Sequence, residues 1–525
     1  MMNDPVPLLH DYLVQSARCK GAKIALVCDG HRVTYDQLET WSNAVAHHLV
    51  TAGIERGDRV MIFADNTVEA AVSFWASLKA NAVACLINPL TRPDKLSYLL
   101  RDCQPTALIT QSRLHATFCE PARHCLSLRR VIVSGTISEI DLNALPHAVR
   151  WSAATADEHD TAPARRCIDI DLAAIIYTSG STGEPKGVML THRNMMTACT
   201  SVASYLDVRE DEIILNALPL AFDYGLYQMI MAVRAGARLV LERSFAFPAE
   251  VLRHVAEERV TGFPGVPTMF STLLQLESLK DYDLSSIRYL TSTGAALPVG
   301  HLRQLRDIFP GARIYSMYGL TECKRCTYLP PEDLDRKPSS VGIAIPNTEM
   351  WIVDECDQRV GPGVVGQLVI RGATVMKGYW RKPEATAKKL KPGPLPGEQV
   401  LYTGDHCRMD ADGYLYFVSR SDEVIKSRGE KVAPKEVESA LLDIPGIREA
   451  AVIGVPDDLL GHALKAFVVL DQGRSIGPKQ IQRECQKRLE SFMVPKYVVV
   501  AAELPRTDTG KINKRELTAG SLMIG

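Results

Sequence analysis

The chain has 525 residues, of which 46% are hydrophobic and 23% charged, enough for roughly two to four domains with sizeable cores. Its 60 basic and 61 acidic side chains leave a formal net charge of -1, so it has no electrostatic footprint for nucleic acid or an anionic membrane surface. The 13 cysteines are scattered, with Cys323 and Cys326 as the one C-x-x-C, and no apolar run is long enough for a transmembrane segment.

In chain order, Met1 to Lys23 mixes charged and apolar residues and lacks the continuous apolar core of a signal peptide, so a cytoplasmic protein with reduced cysteines is expected. Lys23–Cys28 and Arg32–Thr34 read as a hairpin, and Tyr35–Ala52 as a helix with Leu38, Trp41, Val45 and Leu49 on one face. Strand Arg59–Phe63, helix Thr67–Lys79, strand Val83–Ile87, helix Arg92–Asp102 and strand Ala107–Thr110 follow. This βαβ alternation predicts a mostly parallel sheet with helices on its faces. Further strands are predicted at Val131–Val133, Leu172–Ile176, Leu239–Leu241, Gly262–Val266 and Tyr289–Ser292. The glycine-rich stretch Val341–Gly378 has short apolar strands and predicts an antiparallel, barrel-like subdomain. Lys388–Gly397 reads as an exposed loop. The pattern restarts near Arg420–Asp422 with about a hundred residues of small α+β unit. The expected fold class is thus α/β: residues 1–420 as a large domain of βαβ-type sheets plus the small β-barrel subdomain, then residues 421–525 as a small α+β domain.

Chemistry concentrates in Tyr177-Thr178-Ser179-Gly180-Ser181-Thr182-Gly183-Glu184-Pro185-Lys186-Gly187, with an apolar strand leading into it. Glycines let several backbone N–H groups converge, hydroxyls add donors and a lysine adds positive charge, which together suit a polyphosphate. The order is neither a Walker P-loop nor Gly-x-Gly-x-x-Gly, and by itself it also fits a glycine-serine surface turn.

The segment resembles the signature loop of the adenylate-forming superfamily, which includes acyl-CoA synthetases, amino-acid adenylation domains and beetle luciferases. Five more segments in order resemble that superfamily's motifs: Thr293-Gly294-Ala295-Ala296 (adenine turn), Tyr318-Gly319-Leu320-Thr321-Glu322, Tyr402-Thr403-Gly404-Asp405 (ribose), Arg420-Ser421-Asp422-Glu423-Val424-Ile425-Lys426 (hinge) and Pro505-Arg506-Thr507-Asp508-Thr509-Gly510-Lys511 (catalytic lysine). The resemblance implies attack of a carboxylate on the α-phosphorus of ATP, giving an acyl-adenylate and pyrophosphate, then thioester formation. Two anions must meet, so positive charge and donors are needed. By the same resemblance, Thr178, Ser179, Gly180, Ser181, Thr182, Gly183 and Lys186 handle the β- and γ-phosphates, and Thr321 contacts the α-phosphate. Glu322 holds Mg²⁺, Asp405 accepts the ribose hydroxyls, and Lys511 bridges carboxylate and α-phosphate. The C-terminal domain is implied to be mobile, turning about Asp422 to replace Lys511 with the face carrying Lys426 and Gly429, where a pantetheine arm passes. Ser419 stands where the family often has glycine before the hinge arginine, a departure expected to be tolerated.

The acid is less legible. Phe222-Asp223-Tyr224 stands where acyl- and aryl-CoA synthetases usually carry histidine and where amino-acid adenylation domains carry Phe-Asp, whose aspartate binds the amino group. Asp223 therefore either binds a substrate amine or caps a helix beginning near Tyr224. Tyr227, Thr291, Thr293 and Met317 fall where the resemblance puts pocket walls, and their polarity and size favour a small acid over a fatty chain. Arg325 turned inward could bind a second carboxylate bidentately; turned outward, the expected orientation, it is a solvated cation or a carrier-protein contact. The leading expectation is a standalone ligase that activates a small carboxylic or amino acid and passes it to CoA or to the phosphopantetheine of a carrier protein in trans. The alternatives are a medium- or long-chain acyl-CoA synthetase and, more remotely, a luciferase-like oxygenase or a non-catalytic relative.

Overall fold

The computed structural model describes residues 7–522 except 158, 179–183, 295–296, 298, 421–424, 428–429, 433, 458–460, 490–492 and 508–509. The chain divides into two compact units, Met1–Glu349 with Ile370–Leu401, and Met350–Val369 with Tyr402–Gly525. The boundary expected at 420/421 lies next to residues outside the described set.

The first unit contains two large sheets. One has eight strands in the order Gly378–Tyr379, Lys186–Thr191, Leu172–Thr178, Val83–Ile87, Arg59–Phe63, Ala107–Gln111, Arg130–Ser134 and Ala148–Arg150. Its apolar central strands, rich in valine and isoleucine, are buried on both faces, as parallel strands between helices must be. Met61, Phe63, Leu108 and Val131 meet Leu99, Leu100 and Phe118 in one continuous core. The other sheet has nine strands, ordered Ile343–Ala344, Thr327–Leu329, Arg313–Tyr318, Tyr289–Ser292, Gly262–Gly265, Ile213–Asn216, Arg238–Leu241, Ile24–Cys28 and His31–Thr34. Tyr289–Ser292 runs parallel to Arg313–Tyr318 with Ser292 opposite Ser316, so the chain leaves both strands at the same sheet edge. Ligands in open α/β sheets bind at that edge, beyond the carboxyl ends of the strands.

The helix after the Lys186–Thr191 strand, His192–Leu206, begins with a capping box: Thr191 accepts from the Asn194 N–H at 3.0 Å, and Asn194 accepts from the Thr191 N–H at 2.9 Å. The Asn194 amide also donates to the carbonyls of Ala373 and Val375, at 2.7 and 2.9 Å, fixing the segment that leads to Gly378 and Tyr379.

The expected antiparallel β subdomain is a five-stranded sheet, ordered Thr348–Val353, Gly366–Gly372, Gln399–Met409 and Leu390–Pro392, with Leu415–Arg420 on Gln399–Met409. The stretch Lys388–Gly397 is not wholly loop, because Pro383–Lys389 is helical and Leu390–Pro392 pairs with Gln399–Leu401. Burial of Leu390 in that pairing overrides the weak local propensity of a Lys-, Pro- and Gly-rich run.

In the second unit, the antiparallel strands Ile447–Asp457 and Gly461–Leu470 are joined by Tyr497–Val500, parallel to the latter. Helices Pro434–Leu442 and Pro478–Gln486 bury Val437, Leu441, Ile481 and Cys485 against Val452, Leu464 and Val468. This is the expected small α+β unit. Among the described residues, no helix is long and apolar enough to cross a membrane.

Thr191→Ala removes half the capping box, and we expect a loss of about 1 kcal/mol, measured as a lower denaturation midpoint. An unchanged midpoint would show that the Asn194 bonds to Ala373 and Val375 hold the helix start without the cap.

Candidate active site

The glycine-serine segment joins two antiparallel strands, with Thr178 opposite Lys186 and Tyr177 opposite Gly187. It is a hairpin connection, unlike the strand-to-helix turn of a Walker loop. Ser179, Gly180, Ser181, Thr182 and Gly183 lie outside the described residues; Thr178 and Lys186 at its two ends are half-buried. The Tyr177 hydroxyl donates to Asp102 at 2.7 Å, and burial pushes its pKa up. A Cβ on Gly187 would stand 2.6 Å from Ile175, so only glycine lets these strands pack as they do.

Residues 376–380 tie this hairpin to the Tyr318–Glu322 segment. Trp380 donates its backbone N–H to Gly187 at 2.7 Å, and Met376 donates to the Glu322 carbonyl at 2.7 Å. The Tyr379 hydroxyl donates to Glu322 Oε1 at 2.6 Å, while Lys186 Nζ lies 5.6 Å from the Tyr379 ring centroid. Lys186, Tyr379 and Glu322 thus form one cluster of a cation, a phenol and a carboxylate. Sequence reading found the first and last and missed Tyr379; the signal was Gly378, whose φ of 134° and crowding against Thr386 mark a special backbone position.

Tyr318 ends its strand, and the chain turns back within a few residues into Thr327–Leu329, with Tyr318 opposite Thr327. The turn is tight. A Cβ on Gly319 would stand 2.4 Å from the Lys324 carbonyl oxygen, and Lys324 itself has φ of 62°, in the left-handed region. Cys326 donates its N–H to the Tyr318 carbonyl at 2.9 Å, and the thiols of Cys323 and Cys326 are buried 3.1 Å apart. Thr321 and Glu322 are half-buried on this turn.

The other side of the turn corrects two expectations. Arg325 faces inward: it is 2% exposed, donates from Nη1 to the Thr293 hydroxyl and lies 5.1 Å from the Tyr224 ring centroid. Stacking on an aromatic face suits a weakly hydrated guanidinium, so burial costs it less than it would an ammonium. Asp223 does not cap a helix through its side chain. Helix Asp223–Ala235 starts at that residue, Phe222 holds the cap position and no side chain bonds the cap. The Asp223 carboxylate instead faces Lys324 Nζ at 3.3 Å, and the same ammonium donates to the Asp223 carbonyl at 2.8 Å. Lys324 is buried, its Nζ 4.0 Å from the Tyr227 ring centroid. The amine that Asp223 would find in a substrate, on the other alternative, is present in the chain itself. No pattern in the sequence flags Lys324, because its direction depends on a left-handed backbone that lysine seldom adopts.

Around this pair, Tyr224 donates to the Thr291 carbonyl at 2.9 Å and lies 2.6 Å from the Thr291 hydroxyl. Tyr224, Tyr227, Thr291, Thr293 and Met317 are all buried, and the Tyr205 hydroxyl reaches Met317 Sδ at 2.9 Å. The first unit therefore brings together Tyr224, Thr291, Thr293 and Arg325, with Asp223, Tyr227 and Lys324 adjoining; Phe222 is half-buried. Gly294 is exposed with φ of 90°, and Ala295 and Ala296 lie outside the described residues.

Asp405, Arg420, Lys426 and Lys511 belong to the second unit. Asp405 is buried and sits opposite Arg420 across an antiparallel pair, with Arg420 Nε 3.5 Å from its carboxylate. Ser419, opposite His406, is buried in the same ladder. Lys426 lies on strand Ile425–Ser427, and Asp422 and Gly429 fall outside the described residues. Lys511 is exposed on a turn closed by the Thr507 N–H to Lys511 carbonyl bond of 2.7 Å and the Arg506–Ile512 bridge.

Residues 13–380 match the family model for AMP-binding enzymes, and residues 436–511 match that for the AMP-binding enzyme C-terminal domain. The chain belongs to the AMP-binding enzymes. Within that family it belongs with the AMP-forming acyl-CoA ligases, which are ATP-dependent. It is 32% identical to a long-chain-fatty-acid–CoA ligase of Bacillus subtilis, over 98% of this chain and 94% of that one. It is 34% identical to the long-chain-fatty-acid–CoA ligase FadD13 of Mycobacterium tuberculosis, over 93% and 92%. Among solved structures, it resembles the anthranilate CoA ligase AuaEII in complex with anthranoyl-AMP (TM-score 0.90, 28% identity, 99% and 98% coverage). ATP-bound MatB from Rhodopseudomonas palustris is similar at a TM-score of 0.88 and 28% identity, covering 98% of this ligase and 99% of MatB.

Burial pulls the Lys324 pKa of this ligase down from 10.5 to about 7, with Asp223 opposing the shift and Arg325 adding to it. Between those values the unfolded chain binds more protons at this site than the folded one, so stability gains with rising pH from about 7 toward 10.5. We expect the stability of the wild type relative to Lys324→Met to increase from pH 7 to pH 9 in denaturant titrations. A difference that is flat or falls over that range would contradict the buried, depressed lysine.

Proposed function

We propose that this ligase condenses a carboxylic acid with ATP to an acyl-adenylate and pyrophosphate, then transfers the acyl group to the thiol of CoA with release of AMP. The observation that supports this most is the Lys186–Tyr379–Glu322 cluster at the base of the glycine-serine hairpin. It offers a cation for phosphate and a carboxylate for a hard metal ion within one unit.

Residues Thr178 to Lys186 are assigned to the β- and γ-phosphates and Thr321 to the α-phosphate. Thr293, Gly294, Ala295 and Ala296 are assigned to the adenine side, and Asp405 to the ribose hydroxyls. The donor set at Glu322 fits Mg²⁺. Its nearest polar partner is a phenol oxygen, and among the described residues there is no cluster of three acidic, histidine or cysteine ligands that would select a transition metal. Mg²⁺ commonly takes one or two carboxylates and completes its shell with substrate phosphates and water. Bound there, it would neutralise charge on the phosphates. Glu322 would orient it, and Tyr379 would hold the Glu322 carboxylate in place by its hydroxyl. Lys511 is assigned to the developing charge between the substrate carboxylate and the α-phosphate, and Lys426 and Gly429 to the thioester-forming arrangement.

The named relatives are CoA ligases, which supports CoA over a carrier protein as the acceptor, and their long-chain-fatty-acid substrates support an acyl chain as the donor. One observation favours a shorter, more polar acid: the expected pocket wall carries the buried cations Lys324 and Arg325 beside Tyr224 and Thr293. A hydrocarbon laid against them would offer no partner to the Arg325 Nε, which among the described residues has none. The paired Asp223 argues against an amino acid.

ATP–pyrophosphate exchange across fatty, aryl, dicarboxylic and amino acids tests the reading. Lys511→Ala should lower exchange by about 100-fold or more, the usual scale for removing one donor to developing charge. Thioester formation from supplied acyl-adenylate should stay within a few-fold of wild type. Equal loss of both steps would reject the separate assignment of Lys511.

A further inference from the structure

Two buried cations of this ligase, Lys324 and Arg325, adjoin one half-buried carboxylate among the described residues, Asp223. Lys324 is satisfied. Two of its N–H bonds go to the Asp223 carboxylate and carbonyl, and its ammonium faces the Tyr227 ring. That pairing engages the Asp223 carboxylate, and among the described residues Arg325 has no carboxylate partner.

Arg325 is 2% exposed, and its hydrogen bond among the described residues is to the Thr293 hydroxyl. Its Nε is buried and, among the described residues, has no hydrogen-bond partner. The aromatic groups around it, Tyr224 and Tyr205, are pushed to higher pKa by burial and bring no negative charge. A guanidinium buried with an unused N–H is costly unless something else completes it. The group that best completes it is planar, anionic and able to take two parallel N–H bonds, which is a carboxylate.

We infer that this ligase selects acids carrying a second anionic group, a carboxylate or similar oxyanion, which Arg325 binds while Lys324 holds Asp223 neutralised. The inference rests on the acyl-ligase reading above, in which Tyr224, Thr291 and Thr293 form the wall of the acyl site. It assigns the three charged residues distinct roles. Arg325 is the specificity residue, Lys324 fills the position where a substrate amine would sit on Asp223, and Asp223 keeps Lys324 turned away from the ligand. An α-amino acid finds its carboxylate partner already occupied, whereas a diacid finds an arginine waiting.

The test is ATP–pyrophosphate exchange by the full chain with acids matched in carbon number: glutaric against pentanoic, adipic against hexanoic, and norvaline as the amine probe. Wild type should favour each diacid over its monoacid by at least about 10-fold in kcat/KM, the scale of a hydrogen bond to a charged group. Arg325→Met should lower kcat/KM for the diacids by roughly 10- to 100-fold, chiefly through KM, and leave the monoacids within a few-fold. Retained monoacid exchange shows that the variant is folded, and Arg325→Lys should recover part of the diacid preference. Wild-type preference for monoacids, or equal loss with both classes in Arg325→Met, would overturn the inference while leaving the ligase reading intact. Robust exchange with norvaline would overturn the role of Lys324. Absence of exchange with every acid, fatty and aryl acids included, would instead reject the ligase reading and this inference with it.

Discussion

A single steric constraint shapes the candidate site: the chain must reverse between Tyr318 and Thr327 with almost no room to do so. Gly319 passes so close to the Lys324 carbonyl that a side chain there would collide with backbone, and Lys324 completes the reversal in a left-handed conformation. One consequence is that residues two and three apart on the turn serve opposite sides. Glu322 points to Tyr379 and the neighbourhood of Lys186, while Lys324 and Arg325 point to Asp223, Tyr224 and Thr293. A shift in this turn would therefore move a metal-binding candidate and a specificity candidate together. Such strain persists where the surrounding structure over-determines it, and it concentrates at functional sites.

The charges around the turn follow an order of cost. Asp223 is half-buried, and its carboxylate meets the buried Lys324 ammonium at 3.3 Å, which offsets the cost of removing both charges from water. A buried lysine is expensive too, which is why its pKa falls to about 7 in spite of Asp223. Arginine stays charged throughout any accessible pH. The side chains can settle Asp223 against Lys324, but not Arg325 as well. In the proposed chemistry the same accounting applies on the phosphate side, where Lys186 and a metal at Glu322 would offset the nucleotide's negative charge.

Much of the fold was legible because its signals are local. The βαβ alternation from Arg59 to Gln111, the helix from Tyr35 and the small α+β unit after Ile425 follow from apolar periodicity and turn residues alone. The motif segments stood out for another reason, their resemblance in order to those of the adenylate-forming superfamily, and the roles of their residues are proposals. What escaped was long-range. Tyr379 reaches Glu322 across 57 residues, and nothing near either position announces the pair. The direction of Arg325 was misread because a charged residue on a loop is ordinarily solvated, and only the packing of Tyr224 and Thr293 makes burial tolerable. For Asp223 the sequence offers two alternatives, a substrate amine or a helix cap, and neither names its partner Lys324, which comes from a turn about a hundred residues later. The run Lys388–Gly397 looked like loop until Leu390 found Leu401 across a strand pair.

The central claim is that the acid's own oxygen attacks the α-phosphorus of ATP. The most direct measurement supplies a turned-over acid labelled with ¹⁸O in its reacting carboxyl group, together with ATP and CoA, and reads the products by mass spectrometry. The account predicts one labelled oxygen in the phosphate of AMP, unlabelled pyrophosphate, and an acyl thioester that has lost that oxygen. Unlabelled AMP, or ADP with the label in inorganic phosphate, would contradict it.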